Sequence, residues 1–341
     1  MLEIRNLHKF FNKGTPSETI AIDGLNLKIP PKDFITVIGG NGAGKSTLLN
    51  IISGSIASDS GLVLLNDIDI SSMSEHKRAP YFGRVFQDPM SGTASDMSIL
   101  ENLTIAYGRG THRSLFKWFI RKKDKEFFVE QLKTLDLGLE KRLTEKVGLL
   151  SGGQRQALTL LMATMRQRPS ERVIKRDYVR FCETDKSHAK EEIEQAFSEA
   201  KLERKNSLSE LKKKQLSKAE KKQEISSINQ EYERKIARFD LTKQILLLDE
   251  HTAALDPKTA QKVLDITERI VTENQMTTIM ITHNMKDAIR YGNRLIMMSH
   301  GKVVVDVSGE EKKRLTVEQL LNMFQVASKD DQMSDSAILG D

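Results

Sequence analysis

Two short segments of this chain combine residue types whose chemistry suits a phosphate ester. The first is Gly39-Gly-Asn-Gly-Ala-Gly-Lys-Ser-Thr47, which matches the Walker A pattern in full. Glycines let successive backbone N–H groups converge on phosphate oxygens, while the lysine adds a positive charge and the serine a hydroxyl for Mg²⁺. The alternative is a glycine-rich turn that binds nothing. The predicted nucleotide-binding residues are Gly39, Asn41, Gly42, Ala43, Gly44, Lys45, Ser46 and Thr47, of which Ser46 also ligates the metal.

The second segment is the acidic pair Asp249 and Glu250, which ends the apolar run Ile245–Leu248. A parallel strand places such carboxylates at its carboxyl end, where these sheets bind ligands. We predict that Asp249 holds Mg²⁺ through water. Glu250 is predicted to polarise the water that attacks the terminal phosphate, since hydrolysis requires an oriented nucleophile. Alone, such a pair is usually a solvated strand end, but the complete Walker A pattern upstream favours the catalytic interpretation.

The elements around these segments have the pattern of an α/β nucleotide-binding core. The run Phe34–Ile38 predicts a strand that leads into the glycine-rich loop, and helical spacing after Gly44 predicts a helix that stops at Gly54. The segments Gln244–Asp249 and Thr277–Thr282 contain continuous apolar runs, as in strands buried on both faces of a parallel sheet. A strand, a phosphate loop and a helix in this order predict an α/β fold.

Two segments between these strands lack β character. Residues from about 88 to 160 have apolar side chains at three- and four-residue spacing, as in Ile99–Tyr107 and Phe127–Leu137, which predicts a helical subdomain. The second segment, Arg166 to Lys243, is far longer than the usual connection of about 2–6 residues. It contains 21 basic and 15 acidic residues, whereas the rest of the chain contains 32 of each. The net charge of +6 therefore resides in this one segment.

The charged segment carries a narrow apolar stripe at helical spacing. Ser207 with Glu210, and Ser217 with Glu220, have the spacing of capping boxes and predict helix starts. We predict a protruding helical hairpin that lies away from the phosphate site and docks a protein or a membrane surface. A disordered linker and a solvated decoration are the alternatives. The stripe consists of Ile193, Phe197, Leu208, Leu211, Ile225, Ile228, Tyr232 and Ile236.

Composition limits the class of protein. The single cysteine, Cys182, excludes an intrachain disulfide and fits a reducing compartment. The amino-terminal LEIRNLHKFF lacks the apolar core of a signal peptide, and no apolar run approaches the roughly 20 residues of a membrane-spanning helix. A transport function would therefore need a pore formed by another polypeptide.

With these segments in place, the chain resembles the ABC ATPase family, and the segment that distinguishes this family from other phosphate-loop enzymes is Leu150-Ser-Gly-Gly-Gln154. In the family this signature contacts the γ-phosphate of ATP held by the other subunit. The resemblance therefore implies ATP and Mg²⁺ as ligands and a head-to-tail dimer of two copies. Without it, the same residues indicate only a good N-cap followed by an amphipathic helix. The residues implied to act in trans are Ser151, Gly152, Gly153 and Gln154.

The remaining family elements follow in order along the chain. The resemblance implies that Gln87 is a catalytic residue that ligates Mg²⁺, that Asp256 of the D-loop belongs to the nucleotide site, and that catalytic His283 contacts the γ-phosphate. It also implies that Phe11 stacks on adenine. Taken singly, a histidine is more often structural and a phenylalanine usually core. The chain departs from the family at His251, where proline usually follows the catalytic glutamate; our hypothesis is that this histidine adds pH sensitivity.

The resemblance implies an ABC cassette: a RecA-like core with an amino-terminal antiparallel β subdomain and a helical subdomain. To this the chain adds the charged hairpin. We expect the nucleotide-binding core at 1–87 and 244–327, the helical subdomain with the signature at 88–165, the insertion at 166–243 and a flexible tail at 328–341. The basic and apolar segment Arg113–Lys123 lies where the family meets its permease, with a buried core and solvated cations as the alternative.

The implied function is that of the ATP-hydrolysing subunit of an ABC transporter, peripheral on the cytoplasmic face of a bacterial membrane. Its partners would be integral-membrane permease subunits and, for an importer, a solute-binding protein, and no nucleic acid is expected. The segments AALDP and ITHNM are similar to those of ATPases from amino-acid uptake systems of the tryptophan or tyrosine type. One alternative is an exporter or lipoprotein-extraction ATPase. The other is a soluble ABC ATPase acting on nucleic acid or the ribosome, favoured by the basic insertion but disfavoured by the single cassette.

Overall fold

The structure, a computed structural model, describes residues 1–108, 122–165, 171–181, 186–213, 217–236, 239, 245–323 and 326. The chain divides into two compact units, one formed from Met1–Gln167 with Gln244–Asp341 and the other from Arg168–Lys243. None of the described helices combines the length and the apolar character that crossing a bilayer requires. Three predictions concern residues outside the described ranges: the tail at 328–341, Cys182, and all but the last two residues of Arg113–Lys123.

The strands of the described ranges form two sheets. In chain order they are β1 Leu2–Phe11, β2 Thr19–Ile29, β3 Phe34–Gly39, β4 Ser60–Leu65, β5 Ile68–Asp69, β6 Phe82–Val85, β7 Ile245–Asp249, β8 Thr277–Ile281, β9 Arg294–Ser299 and β10 Lys302–Ser308. One sheet has the order β2-β1-β4-β5, and the other has the order β10-β9-β3-β8-β7-β6.

The helices belong to both units. In chain order they are α1 Lys45–Ser53, α2 Glu75–Arg78, α3 Ile99–Tyr107, α4 Lys122–Lys133, α5 Gly152–Thr164, α6 Glu171–Phe181, α7 Lys186–Lys213, α8 Lys218–Ile236, α9 Pro257–Glu273, α10 Met285–Arg290 and α11 Gly309–Arg314. As predicted, α1 follows Gly44 and ends at Gly54, which adopts the left-handed conformation that favours glycine.

The six-stranded sheet gathers its loops at one edge. Residues of β3, β7 and β8 are almost all buried, which accounts for their continuous apolar runs. The pairs β6–β7, β7–β8, β8–β3 and β3–β9 are parallel, and β10 is antiparallel to β9. Because carboxyl ends of parallel strands meet at the same edge, the segments that follow β3, β6, β7 and β8 lie together.

The smaller sheet is antiparallel and contains the amino terminus, as the resemblance implied. In β2 the residues from Leu25 to Ile29 alternate between buried and exposed, the pattern of a sheet with one face on the core. Its neighbour β1 ends at Phe11, which is paired with Thr19 of β2. Two residues further along β2 lies Ala21, whose carbonyl borders the phosphate loop at Gly44.

The helical part of the larger unit contains α3, α4 and α5, which share one apolar cluster. A capping box of Ser98 and Glu101 starts α3, and its bounds agree with the prediction. The prediction of a helix over Phe127–Leu137 was right in type and wrong at both ends. The helix α4 starts earlier, and it stops before Asp136, whose backbone turns to a left-handed φ of 53°.

The unit Arg168–Lys243 is helical, with the long helices α7 and α8 in contact. A further helix, α6, was not part of the predicted hairpin. Together they enclose a small apolar core, much of which comes from the predicted stripe. Its buried members are Ile174, Ile193, Phe197, Ala200, Tyr232, Ile236 and Phe239.

One of the two helix starts predicted in this unit is correct. The amide of Ser217 donates to Glu220 Oε2 over 2.8 Å and the amide of Glu220 donates to Ser217 Oγ over 3.3 Å, so this pair caps α8. The start predicted at Ser207 is wrong, because Ser207 lies inside α7. Neither glycine nor proline flanks Ser207, and an established helix propagates through serine at little cost.

Candidate functional site

The phosphate loop is held against its neighbours so closely that two positions admit only glycine. At Gly39, the last residue of β3, a Cβ would collide with the carbonyl of Met298. At Gly44 a Cβ would collide with the carbonyl of Ala21, and φ is 92°. The chain between them therefore turns tightly at the carboxyl edge of the sheet. Of the other predicted loop residues, Asn41 is exposed, while Ala43 is buried.

The loop ends in a helix terminus that is open to an anion. The N-cap of α1 is Gly44, and no side chain caps the backbone N–H groups of the first turn. Lys45 folds over the loop, and its Nζ donates to the carbonyls of Gly39 at 2.8 Å and Gly40 at 2.9 Å. Burial lowers the pKa of Lys45, while Glu250 and Asp249 oppose this shift. This arrangement offers amides and one ammonium group to phosphate oxygens.

The acidic segment at the end of β7 meets the phosphate loop. The hydroxyl of Ser46 donates to Asp249 Oδ1 over 3.2 Å, although the two residues are 203 positions apart. Burial raises the pKa of Asp249, while the bond from Ser46 acts in the opposite direction. A hydroxyl and a carboxylate side by side are hard oxygen donors, and Mg²⁺ is usually held by one or two protein oxygens together with phosphates and water.

Arg84 of β6 belongs to this arrangement and was missed by the sequence reasoning. Its Nη2 lies 3.8 Å from Asp249 Oδ2 and donates to Asn50 Oδ1 over 2.6 Å, and its Nη1 donates to Ser53 Oγ over 3.1 Å. The guanidinium lies 4.6 Å from the ring centre of Phe86. The sequence signal that could have identified Arg84 is its position in an otherwise apolar strand, because a buried cation requires polar or charged partners.

Glu250 and His283 face each other at the ends of two adjacent strands. Glu250 has a left-handed φ of 45°, and its amide donates to the carbonyl of Ile281 over 3.1 Å, which fixes the turn after β7. His283 follows β8, and its Nδ1 lies 3.6 Å from Glu250 Oε2. The imidazole is 65% exposed, so this side of the carboxylate is open to a ligand. Strained backbone of this kind is common at functional sites.

His251 points away from this opening into the core. It is buried and its Nε2 lies 3.2 Å from Thr267 Oγ1 in α9. Because that hydroxyl donates to the carbonyl of Val263, Nε2 is the donor to Thr267. Burial lowers the pKa of His251 to about 4, so the ring is neutral near pH 7. This argues against the hypothesis that His251 makes hydrolysis pH-sensitive around neutrality.

Gln87 follows a strand of the six-stranded sheet, whereas Phe11 ends a strand of the smaller sheet. Gln87 is exposed in the loop after β6, and no hydrogen bond or ion pair among the described residues joins it to Asp249 or Glu250. Phe11 ends β1 with 37% of its surface exposed, and the Nζ of Lys9 lies 5.6 Å from its ring centre. Both side chains are accessible to a ligand.

The signature segment is placed elsewhere in the larger unit. Ser151 caps α5 in a reciprocal box with Gln154, as its spacing predicts. A Cβ at Gly153 would collide with Thr259, so this end of α5 packs tightly on the start of α9, where Asp256 caps the helix by accepting from the amide of Thr259 over 3.1 Å. Within the described ranges, no hydrogen bond joins Ser151, Gly152, Gly153 or Gln154 to the phosphate loop.

Comparison with known proteins agrees with this arrangement. A family profile described as ABC transporter matches residues 22–171. The chain is 35% identical over 327 residues to a tyrosine transport ATP-binding protein of Clostridioides difficile, which covers 96% of this chain and 100% of the relative. It is 25% identical over 315 residues to a phosphonates import ATP-binding protein of Lactococcus lactis, covering 91% of this chain and 94% of the relative.

Solved structures show the same fold. A dimeric bacterial ABC transporter cassette aligns with a TM-score of 0.56 at 22% identity, covering 90% of this chain and 98% of that one. The ADP conformation of another ATP-binding cassette of an ABC transporter aligns with a TM-score of 0.58 at 21% identity, covering 95% and 98%. The full-length match at 35% identity and the family profile lead to one conclusion: the chain belongs to the family of ABC transporter ATP-binding proteins.

Proposed function

We propose that this chain is the ATP-hydrolysing subunit of an importer for an amino-acid-type solute, and that it drives a separate permease by ATP-dependent association of two copies. The observation that carries the proposal is the meeting, at one edge of one sheet, of an open phosphate loop with the pairs Ser46–Asp249 and Glu250–His283. These groups can bind a triphosphate, hold a divalent cation and orient water.

The phosphate loop binds the triphosphate. In the structure Lys45 Nζ is satisfied by the carbonyls of Gly39 and Gly40, and phosphate oxygens compete for the same donor. The uncapped first turn of α1 adds backbone N–H groups and the positive end of the helix dipole. Phe11 offers an exposed ring for the adenine base at the end of β1. Binding therefore combines charge, directed amides and stacking.

Mg²⁺ is assigned to the oxygens of Ser46 and Asp249, with Gln87 as a further ligand. The 3.2 Å contact between the hydroxyl and the carboxylate supports this assignment, and Arg84 lies beside the half-buried carboxylate. When bound, the cation neutralises phosphate charge and favours the transition state of phosphoryl transfer. The Ser46 hydroxyl must turn its proton away from Asp249 to act as a ligand.

Glu250 acts as the base that orients and polarises water, and His283 acts on the terminal phosphate. The Nδ1 of His283 lies 3.6 Å from Glu250 Oε2, and the imidazole is accessible to a ligand. Glu250 directly follows Asp249 in the sequence and has a left-handed backbone conformation. Adjacent residues therefore hold the metal and orient the water. A positioned base of this kind contributes about 10²–10⁴-fold to a rate.

The signature of a second copy completes the site. In one chain Ser151, Gly152, Gly153 and Gln154 make no hydrogen bond to the phosphate loop, and Asp256 is engaged as a helix cap. Association of two copies in opposite orientation supplies these residues to each nucleotide and links ATP binding to closure. We assign nucleotide binding to residues 1–87 and 244–327, and the signature subdomain to 88–165.

The solute and the location are proposed from the relatives. The full-length relative at 35% identity is a tyrosine transport protein, which favours an amino-acid-type solute over the phosphonates handled by a relative at 25%. A permease, and a solute-binding protein that delivers to it, would be the partners of such a subunit. The chain would then be peripheral on the cytoplasmic face of a bacterial membrane.

Purification from membranes tests the transport assignment. The Glu250→Gln variant, which retains the phosphate loop, is recovered with ATP from solubilised membranes, and bound proteins are identified by mass spectrometry. We expect a multi-span permease that is lost when ATP is omitted. Recovery of ribosomal proteins or RNA without a permease would replace this proposal with a soluble ATPase. Uptake of labelled tyrosine and tryptophan by cells carrying this variant tests the solute. Uptake equal to wild type would contradict the amino-acid assignment but not the assignment as a transport ATPase.

A further inference from the structure

The unit Arg168–Lys243 has an apolar stripe that is covered at one end and open at the other. At the covered end Ile193 and Phe197 are fully buried against Tyr232. At the other end, where α7 leads towards α8, a groove of about 630 Å³ lies between the two helices. The apolar floor of this groove is formed by Leu208, Leu211 and Ile225.

The floor is recessed in part. Leu211 is 4% exposed, whereas Ile225 is 42% exposed and lies at the open side of the groove. Sequence periodicity alone had placed these residues on the same stripe as the core of the unit. The structure separates them, because Leu208, Leu211 and Ile225 are not part of the apolar core that contains Ile193, Phe197 and Tyr232. An apolar floor of this kind is available to an apolar group that enters it from outside.

Cations surround the floor, and none of the nine described lining residues carries a carboxylate. Lys205, Lys212 and Lys221 line the groove, and their side chains make no hydrogen bond or ion pair with any described residue. The carboxylate of Glu203, which lies beside Arg204 in the sequence, is paired with Lys235. The groove is therefore a local concentration of uncompensated positive charge.

Two further cations line the groove but have partners. Lys201 is paired with Glu171, and the guanidinium of Arg204 lies 5.0 Å from the ring centre of Tyr232. The only arginine of the described lining is thus held by an aromatic ring instead of being free for paired hydrogen bonds. What faces outward is a set of lysines, which act as mobile point charges and do not select one planar anion.

We propose that this basic groove docks on an anionic phospholipid bilayer, with Lys205, Lys212 and Lys221 at the lipid phosphates and an apolar part of a lipid on the recessed floor. Clusters of four to eight basic residues on a helical surface are typical of attraction to anionic membranes. The net charge of the whole chain resides in the segment that contains this groove, so the attraction is directed to one part of the molecule. Docking is independent of the ATPase chemistry.

Other anionic ligands fit the groove less well. Single-stranded nucleic acid is bound by basic grooves that also offer aromatic rings for base stacking, and the described lining contains none. Specific recognition of a carboxylate usually employs a free arginine fork, and Arg204 is occupied. In an anionic bilayer, many headgroup phosphates lie above an apolar interior. This arrangement matches the groove, where unpaired lysines surround an apolar floor.

Vesicle co-sedimentation of the full-length protein tests the proposal. Vesicles of phosphatidylcholine are compared with vesicles that also contain phosphatidylglycerol. We expect binding only to the anionic vesicles, and a loss of about a hundredfold in affinity for the triple variant Lys205→Glu, Lys212→Glu, Lys221→Glu. The matched control, Lys186→Glu, Lys190→Glu, Arg234→Glu, changes the net charge equally within the same unit but outside the groove lining. It is expected to retain most of the binding.

The outcomes separate the groove from general attraction. Equal losses of vesicle affinity in the two triple variants would show that net charge alone explains binding, and would overturn the proposal that the groove docks on the bilayer. Equal binding to neutral and anionic vesicles would also overturn the proposal, as would tighter binding to a single-stranded RNA or an acidic peptide that competes with anionic vesicles. Ile225→Asn removes apolar floor without changing charge, and we expect weaker vesicle binding from it. Resistance of α7 and α8 to limited proteolysis, equal to that of the wild type, shows that the helical unit of each variant is folded.

Discussion

The nucleotide edge and the basic groove both concentrate charge, but the two regions hold their charged side chains in different ways. At the nucleotide edge, Lys45 and Arg84 are partly buried and each meets carbonyls or a carboxylate fixed by the sheet. In the groove, Lys205, Lys212 and Lys221 lie on two helices, and their side chains have no partner among the described residues. The comparison teaches that strand register fixes side chains closely enough for hydrogen bonds, whereas helical periodicity fixes only the helix face on which a side chain lies. Substitutions at the nucleotide edge should therefore affect hydrolysis, whereas substitutions in the helical unit should affect its own stability or docking.

The largest expected effect is at the nucleotide edge. Glu250→Gln should lower the ATPase rate by about 10²–10⁴-fold, because the amide cannot accept a proton from water. ATP affinity should be preserved, since Lys45 and Ser46 remain in place. The matched control is Glu273→Gln, at the exposed carboxyl end of α9, which should hydrolyse ATP at the wild-type rate. Retention of more than about a tenth of the activity in Glu250→Gln would assign water activation to another group.

The second prediction tests whether the two units are independent. Phe197 is fully buried in the core of the helical unit, so Phe197→Ala should destabilise that unit by about 3–5 kcal/mol. We expect protease cleavage within α7 and an ATPase rate equal to wild type. On the same helix Leu202 is 60% exposed, so Leu202→Ala should leave both readouts unchanged. If hydrolysis falls with Phe197→Ala, the helical unit supports the nucleotide edge and the contrast between the regions fails.

The third prediction concerns acid stability. The pKa of His251 is lowered by burial to about 4 in the folded chain, against 6.5 for the unperturbed ring, so the unfolded state binds a proton first as pH falls. Its contribution is fully present above pH 6.5 and is lost between about 6.5 and 4, to a total of about 3 kcal/mol. His251→Gln should show a smaller loss of unfolding free energy over this range. A parallel decline in both proteins would show that His251 does not titrate in this way.

The same variant tests the chemistry of the site near neutrality. Because His251 is neutral near pH 7 and donates to Thr267, its replacement by glutamine should leave the shape of the pH–rate profile between pH 6.5 and 8 unchanged. The measurement is the steady-state ATPase rate across this range. A shifted profile would restore the hypothesis that this departure from the family tunes hydrolysis.

A smaller loss of stability is expected at Arg84. Arg84→Met removes the donor to Asn50 Oδ1, one donor to Ser53 Oγ and the cation beside Asp249, so the free energy of unfolding should fall by about 1–3 kcal/mol. Chemical denaturation of the full-length chain measures it. The exposed ion pair of Lys313 with Glu310 offers the control, and Lys313→Met should leave stability unchanged. Equal effects would mean that Arg84 is not a structural partner of the site.

Much of the candidate site was predictable because its signals are local. The spacing of residues from Gly39 to Thr47 predicts the phosphate loop, and the apolar run that ends in Asp249 predicts a buried parallel strand. The capping box of Ser217 also worked, since Glu220 lies at the right distance along the chain. The same local pattern failed at Ser207, where the surrounding sequence continued the helix.

What could not be predicted are the partners distant in sequence. Nothing in the segment around Arg84 shows that β6 lies beside β7, and it is this register that brings the guanidinium to Asp249. Nor does the sequence show that His251 turns inward to Thr267. Each of these contacts depends on the order of strands and on which helix covers the sheet.

The sequence by itself determined the phosphate loop, the acidic pair, the family and the helical character of the charged segment, because these depend on spacing within a few turns or one strand. Only the tertiary structure decided which part of the apolar stripe became core and which became the floor of the basic groove. It also decided that Ser46 meets Asp249 and that His283 meets Glu250. The physical reason is that burial and long-range pairing arise from packing between elements, which local periodicity does not specify.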